Sequence, residues 1–122
     1  VISELKAFEV QNRFVTGGGK VHMGQYSFNV RHQNQIAKGH FNFKDKRTKM
    51  KFKSTHINQL IVSDNQAIIS GSGFFHKSRN QIQFEVKINT AKNTMFVVIS
   101  DGNNVLYNSG IQNITHGNIK IK

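Results

Sequence analysis

The stretch that decides the fold is residues 16–31, which read TGGGKVHMGQYSFNVR. In its second half, polar and apolar residues alternate strictly, which is typical of a β-strand with one buried face. The apolar residues occupy odd positions at Val21 and Met23 but even positions from Tyr26 onward. Gly24 lies at this change of parity and predicts a bulge or sharp bend inside one long strand. The stretch therefore predicts a sheet that curls over its own core.

We expect this bent strand to cover Lys20–His32, after a triple glycine, Gly17–Gly19, that we interpret as a flexible run. The same alternation predicts further strands over Ala37–Lys44, Lys49–Lys53, Ile57–Ser63, Gln66–His76, Gln81–Asn89 and Thr94–Ser100. Shorter or less regular strands are predicted over Glu9–Val15, Val105–Tyr107 and Asn118–Lys122. About nine strands without a convincing helix predict an all-β fold, an antiparallel β-sandwich or curled β-barrel.

Length and composition favour one domain. The chain has 122 residues, enough for a single core, and we divide it into an N-terminal strand or linker at 1–13 and one all-β domain at 14–122. It begins at Val1, which predicts a processed mature form or an excised domain. The longest apolar run, Met95–Ile99, is too short to span a bilayer and predicts a strand covered on both faces.

Charge is the strongest compositional signal. Seventeen Lys and Arg residues stand against six Asp and Glu residues, so the formal net charge is +11. Such an excess raises the concentration of polyanions near the surface, although it also serves solubility. The chain contains no cysteine, which excludes a disulfide framework and thiolate metal ligands.

The predicted strand Lys49–Lys53 places three lysines on one face, about 7 Å apart at ~3.3 Å rise per residue. The candidate polyanion-binding residues are Lys44, Lys46, Arg47, Lys49, Lys51 and Lys53. Lysines also protect exposed edge strands from pairing, and this alternative is equally consistent with the sequence. Nucleic-acid binders usually add exposed aromatic rings, for which Phe74–Phe75 is the one candidate pair.

Catalysis and metal binding are not expected. The six acidic residues are scattered: Glu85 is predicted to face solvent, while Asp45, Asp64 and Asp101 fall in predicted turns. The six histidines show no paired metal-ligand spacing. We therefore assign no catalytic residues, no metal site and no cofactor.

Several short motifs occur in a fixed order along residues 14–122: VTGGG from Val15, YSFNV from Tyr26, KGHFNF from Lys38, SGSG from Ser70, FEVKI from Phe84 and GNIKI from Gly117. In this order and spacing the chain resembles the post-COAP family, domains of unassigned activity in secreted and surface proteins of prokaryotes. The resemblance implies a secreted, non-catalytic β module. It supplies no catalytic residues to transfer to this chain.

The expected function is a non-catalytic β module of the extracellular space or cell surface, used for binding, adhesion or assembly, for example as a subunit of a surface filament or matrix. Assembly as a homo-oligomer would use the N-terminal segment 1–13 or a sheet edge, since an added strand can pair with an open edge. The alternative is a domain that binds a polyanion, either nucleic acid or an acidic glycan, through the basic strand.

Overall fold

The eight strands of the chain form one closed antiparallel barrel in a computed structural model that describes residues 13–22, 24–33, 36–75 and 81–121. The strands are β1 (Phe14–Val21), β2 (Gly24–Gln33), β3 (Ile36–Asp45), β4 (Lys51–Ser63), β5 (Gln66–Phe75), β6 (Ile82–Asn89), β7 (Thr94–Asp101) and β8 (Asn104–Ile121). Each strand pairs with the next, and β8 returns to pair with β1. The prediction of an all-β barrel is confirmed. Residues 1–12, which hold most of the predicted first strand, lie outside the described part of the chain.

The prediction of one bent strand over Lys20–His32 is wrong, because the parity change marks a hairpin. Val21 ends β1 and is paired with Gly24, which begins β2. Two residues that face each other across an antiparallel pair point to the same side of the sheet. A hairpin with a two-residue loop therefore transfers the inward set from odd to even positions without any bulge.

Conversely, two pairs of predicted strands each form one continuous strand in the structure. The predicted strands Lys49–Lys53 and Ile57–Ser63 merge into β4, which carries register shifts between Ser54 and His56 and between Ile57 and Gln59. The two predicted C-terminal strands likewise belong to β8, which is 18 residues long. The pairs formed by β8 also carry register shifts. Such bulges interrupt the alternation of side chains by which a strand is predicted from the sequence, so each long strand was predicted as two short ones.

The long strands β4 and β8 form the corners of the barrel. Within the described residues, β3 pairs with β4 only where Asn42–Lys44 meets Lys51–Lys53, and the rest of β4 pairs with β5 alone. β8 pairs with β7 through its first half and with β1 through its second half, with a change near Ile114. The barrel is thus flattened into two sheets that share β4 and β8, although the strands still form one closed barrel.

A buried serine completes the hydrogen bonding at each corner. On β4, the Ser54 hydroxyl accepts a hydrogen bond from the backbone N–H of Phe41, with N···O 2.7 Å. On β8, the Ser109 hydroxyl accepts the N–H of Val97 at 2.8 Å and donates to the carbonyl of Gly110. Because backbone donors inside a protein need acceptors, these hydroxyls allow the ladders to break without a buried unpaired amide.

The triple glycine is an ordered part of β1, so its interpretation as a flexible run is wrong. Gly17 and Gly19 alternate with the inward residues Val15 and Val21 and face the interior. A Cβ on Gly19 would lie 2.1 Å from the His116 carbonyl oxygen, and a Cβ on Gly17 would lie 2.9 Å from the ring of Phe28. These glycines permit β8 and an aromatic ring to approach the strand closely.

The interior is filled by the alternating apolar residues that the sequence predicted. Tyr26, Phe28, Phe41, Phe43, Phe52, Leu60, Ile82, Phe84, Val86 and Ile88 are all buried. Phe41 lies at the centre of an aromatic cluster, with ring centroids 5.2 Å from Phe84 and 6.2 Å from Phe52. Offset contacts of this kind add to the free energy gained by burying the rings.

Substitution of neighbouring glycines tests the packing of β1. Gly19→Ala is expected to lower the free energy of unfolding by about 3 kcal/mol or more, because its Cβ meets backbone atoms that cannot move independently. Gly18→Ala, whose Cβ would find no atom closer than 3.8 Å, should change it by less than about 1 kcal/mol. Urea unfolding measures both. Equal losses would contradict the proposed close approach of β8.

Candidate polyanion-binding face

Among the residues that the structure describes, the cations are concentrated on one outer surface of the flattened barrel. This surface, the basic face, is formed by the outward side of β1, β2, β3, the start of β4 and the end of β8. Its exposed cationic residues are Lys20, Arg31, Lys38, Lys44, Lys51, Lys53 and Lys120. The opposite sheet carries Asp64, Glu85, Lys87, Lys92 and Asp101 among the described residues, so its charges nearly balance.

Three of the six predicted polyanion-binding residues converge on this face. Lys44 is directly opposite Lys51 in the β3–β4 pair, and Lys53 is opposite Asn42. All three lysines are exposed and line a shallow groove of about 350 Å³. The outward polar residues of this basic groove are Gln25, Ser27, Asn42, Lys44, Lys51 and Lys53.

The other three predicted residues, Lys46, Arg47 and Lys49, lie in the loop between β3 and β4 at one end of the groove. The prediction that Lys49 shares a strand face with Lys51 and Lys53 is wrong, because β4 begins at Lys51. Lys49 has a φ of 60°, in the left-handed region that few residues other than glycine adopt. Such backbone strain is often found at functional sites.

The electrostatics of the basic groove are unfavourable in the free protein. Like charges directly opposite each other in a sheet repel, as Lys44 and Lys51 do. Among the described residues, no carboxylate lies within 4.0 Å of the Lys44, Lys51 or Lys53 amine. Lys87 and Glu85 do form an ion pair, at 3.7 Å, but they lie on the opposite sheet. A bound anion would relieve this repulsion.

Protection of an exposed edge does not explain Lys44 and Lys53. Lys44 is paired with Gln25 of β2 and Lys51 of β4, and Lys53 is paired with Asn42 of β3 and Phe74 of β5. A strand that is paired on both sides has no free edge to protect at that point. The edge-protection alternative therefore does not apply at these two positions, and polyanion binding stays a prediction.

The loop between β3 and β4, residues 46–50, is called the basic loop here, and it is anchored by Asp45. The Asp45 carboxylate is fully buried, whereas the sequence predicted it in an ordinary turn. Its Oδ1 accepts the backbone N–H groups of Arg47 at 2.8 Å and Thr48 at 3.1 Å. Its Oδ2 accepts the phenolic O–H of Tyr107, from β8, at 2.6 Å. The Asp45 N–H also donates to the Met50 carbonyl. The contact with Tyr107 spans 62 positions in the chain, and no local sequence signal indicates it.

The surroundings of Asp45 favour its charged form. Burial by itself raises the pKa of this carboxyl, but hydrogen bonds from Tyr107, Thr48 and Arg47, with the positive charge of Arg47, together hold the pKa below its ordinary value. The pKa of Tyr107 is raised well above its ordinary value, mainly by burial and also by the hydrogen bond to the Asp45 carboxylate. The pair is therefore an ionised carboxylate and a neutral phenol at neutral pH.

Of the predicted aromatic pair, Phe74 is the exposed member, and the residue is 39% accessible. It is the cross-strand neighbour of Lys53 and so lies at one end of the basic groove. Phe75 is half-buried and packs against the core. The alternation correctly predicted that one ring must face outward, but not that it would adjoin a lysine.

The described residues provide no cluster of three metal-ligating side chains, and His76 lies outside them. They also form no helix that is long and apolar enough to cross a membrane. No family model, curated protein or solved structure matches the chain. The resemblance to the post-COAP family stays a prediction.

Acid unfolding tests the role of Asp45. Because its pKa is lowered in the folded state, its stabilising contribution is complete above the unfolded pKa of about 4 and is lost as the pH falls toward the folded pKa. The difference in free energy of unfolding between the wild type and Asp45→Asn should therefore shrink below about pH 4. Tyr107→Phe should move the acid limb to higher pH, because it removes one donor to the carboxylate. Urea unfolding between about pH 2.5 and pH 7 measures this, and parallel pH profiles of wild type and Asp45→Asn would contradict it.

Proposed function

We propose that the protein is a non-catalytic binding module that holds a polyanion on its basic face. The observation that carries the proposal is the convergence of Lys44, Lys51 and Lys53 in one groove without a neutralising carboxylate among the described residues. Side chains that remain mutually repulsive in the free protein bind an anion without first breaking an ion pair. Their separation, about 5 Å across the strands and about 7 Å along them, suits an extended polymer with repeated charges.

The positions of the acidic groups support a role without catalysis. Asp45 is fully buried, and its two oxygens already accept three hydrogen bonds. The other described acids, Asp64, Glu85 and Asp101, are exposed and lie on the opposite sheet. General acid and base catalysis requires groups within reach of one substrate, which this arrangement does not favour. The post-COAP resemblance supports a location outside the cell or on its surface.

Chromatography on immobilised heparin with a salt gradient tests the proposal. The triple variant Lys44→Ala, Lys51→Ala, Lys53→Ala should elute at clearly lower salt, since each lysine that neutralises an anionic group contributes about one to the slope of log K against log salt. The control is Lys87→Ala with Lys92→Ala, which removes two cations from the opposite sheet and should elute near the wild type, so that the loss per lysine can be compared.

The triple variant should also unfold at an unchanged or slightly higher urea concentration, because it relieves the repulsion between Lys44 and Lys51. Stability and binding are thus expected to change independently. Identical elution of the wild type and the triple variant would exclude the basic groove as the binding site.

Self-assembly is a second candidate function, favoured by an apolar row on the outer surface of the opposite sheet. Cross-strand register places five outward side chains side by side across β4 to β8: Ile61, Ile68, Lys87, Phe96 and Ile111. Ile111 is 76% exposed and Ile61 is 45% exposed. The expectation that β7 is covered on both faces is only half met, because Phe96 and Val98 are half-buried by the described residues.

A second copy of this chain suits the apolar row because of the charge distribution. Contact through the basic face would bring many cations together, whereas the one cation of the apolar row, Lys87, forms an ion pair with Glu85. A dimer through the row would keep the two basic faces on opposite outer sides. A face of about 20 by 20 Å buries roughly 800 Å² in two copies, below the range of stable specific interfaces, so the dimer would be weak. Assembly through residues 1–13 stays a prediction.

Sedimentation equilibrium over increasing protein concentration tests this second candidate. The wild type should show an average mass that rises above 13.9 kDa, and Ile111→Glu should remain a monomer because it buries a charge in the contact. The control is Val105→Glu, which alters a comparably exposed apolar residue outside the row and should behave as the wild type. A wild type that stays monomeric at every concentration would contradict this candidate.

A further inference from the structure

We infer that the polyanion is an acidic polysaccharide, whose hydroxyl groups are bound by a set of amide and hydroxyl side chains between the cations. This inference rests on the proposed function and adds the class of ligand. It comes from the neutral residues of the basic face, which the charge pattern alone does not reveal. These residues occupy the middle of the face, while Lys and Arg residues occupy its margins.

Cross-strand register arranges the outward residues in three parallel rows. The first is His116, Lys20, Gln25, Lys44 and Lys51; the second is Asn118, Gly18, Ser27, Asn42 and Lys53; the third is Lys120, Thr16, Asn29 and His40. The inner positions of the second and third rows are amides, hydroxyls or glycine, whereas the first row, at one margin of the face, has Gln25 between Lys20 and Lys44. At a strand spacing of about 4.8 Å, each five-residue row extends about 20 Å, enough for an oligosaccharide rather than one sugar.

The chemistry of these neutral groups matches a hydroxylated polymer. An Asn or Gln side chain has two donor hydrogens and a carbonyl acceptor, so it can bond to both the hydrogen and the oxygen of ligand hydroxyls. Gln25 and Asn29 are exposed, and Asn42 is half-buried beside Lys53. Ser27 and Gly18 carry small side chains or none, which keeps the surface low between the amides. Lysines at the margins are positioned to meet carboxylate or sulfate groups.

The aromatic residues favour a polysaccharide over nucleic acid. Single-stranded nucleic acids are usually held by stacking of successive bases on exposed rings. On this sheet Tyr26, Phe28, Phe41 and Phe43 all point into the core, and Phe14, half-buried at the start of β1 opposite Arg31, is a single ring at the margin of the face. The exposed ring of Phe74 lies at the end of the groove, on β5, where one ring cannot stack a series of bases. The face therefore offers hydrogen bonding and charge along its length, with little stacking.

The test separates the contribution of the amide hydrogen bonds to ligand affinity from the contribution of the lysine charges. The amide variant Gln25→Ala, Asn29→Ala, Asn42→Ala keeps the net charge at its wild-type value. Its matched control, Gln59→Ala, Gln66→Ala, Gln81→Ala, removes three exposed amides outside the basic face. The probes are chondroitin sulfate and alginate oligosaccharides, which carry hydroxyl groups, together with inorganic polyphosphate, which has none along its chain, and single-stranded DNA. Isothermal titration calorimetry at one fixed salt concentration gives each affinity.

The wild type should bind at least one of the two oligosaccharides more tightly than it binds polyphosphate or DNA. The amide variant should bind that oligosaccharide about 10-fold or more weakly, since a typical hydrogen bond contributes about 1 kcal/mol, and should bind polyphosphate within about 2-fold of the wild type. The inference would be overturned if the amide variant lost affinity equally for the oligosaccharide and for polyphosphate, or lost affinity for neither. It would also be overturned if the wild type bound DNA or polyphosphate more tightly than both oligosaccharides.

The lysine triple variant in the same titrations distinguishes this inference from the proposed function. If the lysine variant binds every probe more weakly while the amide variant binds each as tightly as the wild type, the polyanion site is supported and the assignment of a polysaccharide ligand is wrong. If the lysine variant binds every probe as tightly as the wild type, the basic groove is not the site and the proposed function fails with it. Urea unfolding of each variant shows that a loss of affinity is not a loss of folding.

Discussion

The structure depends on how hydrogen bonding is maintained where the sheet turns its two corners. A closed barrel removes free edges, but a flattened one must bend sharply at β4 and β8, and there the backbone ladders break. The hydroxyls of Ser54 and Ser109 accept the N–H groups that lose their backbone partners. A buried unpaired donor costs about 1–3 kcal/mol, a large part of the stability of a small domain. Two small polar side chains thus satisfy the backbone at the corners of an interior whose other buried polar group, among the described residues, is Asp45.

Flattening also gives the barrel two outer surfaces with different properties. One sheet presents the cations and amides of the basic face, and the other presents the apolar row with a nearly balanced set of charges. Without this division into two sheets, the cationic residues and the exposed apolar residues would be distributed around the whole circumference of the barrel. Because alternate side chains point outward, the residues between the core positions of each strand are free to specialise. The proposed binding and self-association therefore use opposite sides of the molecule and need not compete.

The Asp45 carboxylate connects the core to the binding surface. It bonds the amides of the basic loop with one oxygen and the Tyr107 hydroxyl of β8 with the other, so the loop carrying Lys46, Arg47 and Lys49 is tied across the barrel. A charged group is costly to bury unless its hydrogen bonds are satisfied, and here each oxygen has a donor. The arrangement fixes the direction in which the loop presents its cations, beside a groove formed by three neighbouring strands.

The sequence by itself determined the all-β class, the inward set from Tyr26 to Ile88 and the cationic character of the Lys44–Lys53 segment, because side-chain alternation and charge are local properties. The hairpin at Val21 and Gly24, the continuity of β4 and β8, and the packed role of Gly19 were decided by tertiary structure. A parity change fits a bulge or a turn equally well, and only the pairing partners distinguish them. The pairing of Lys44 with Lys51, the amides between the cations and the Asp45–Tyr107 bond likewise arise from register, which joins residues that are distant along the chain.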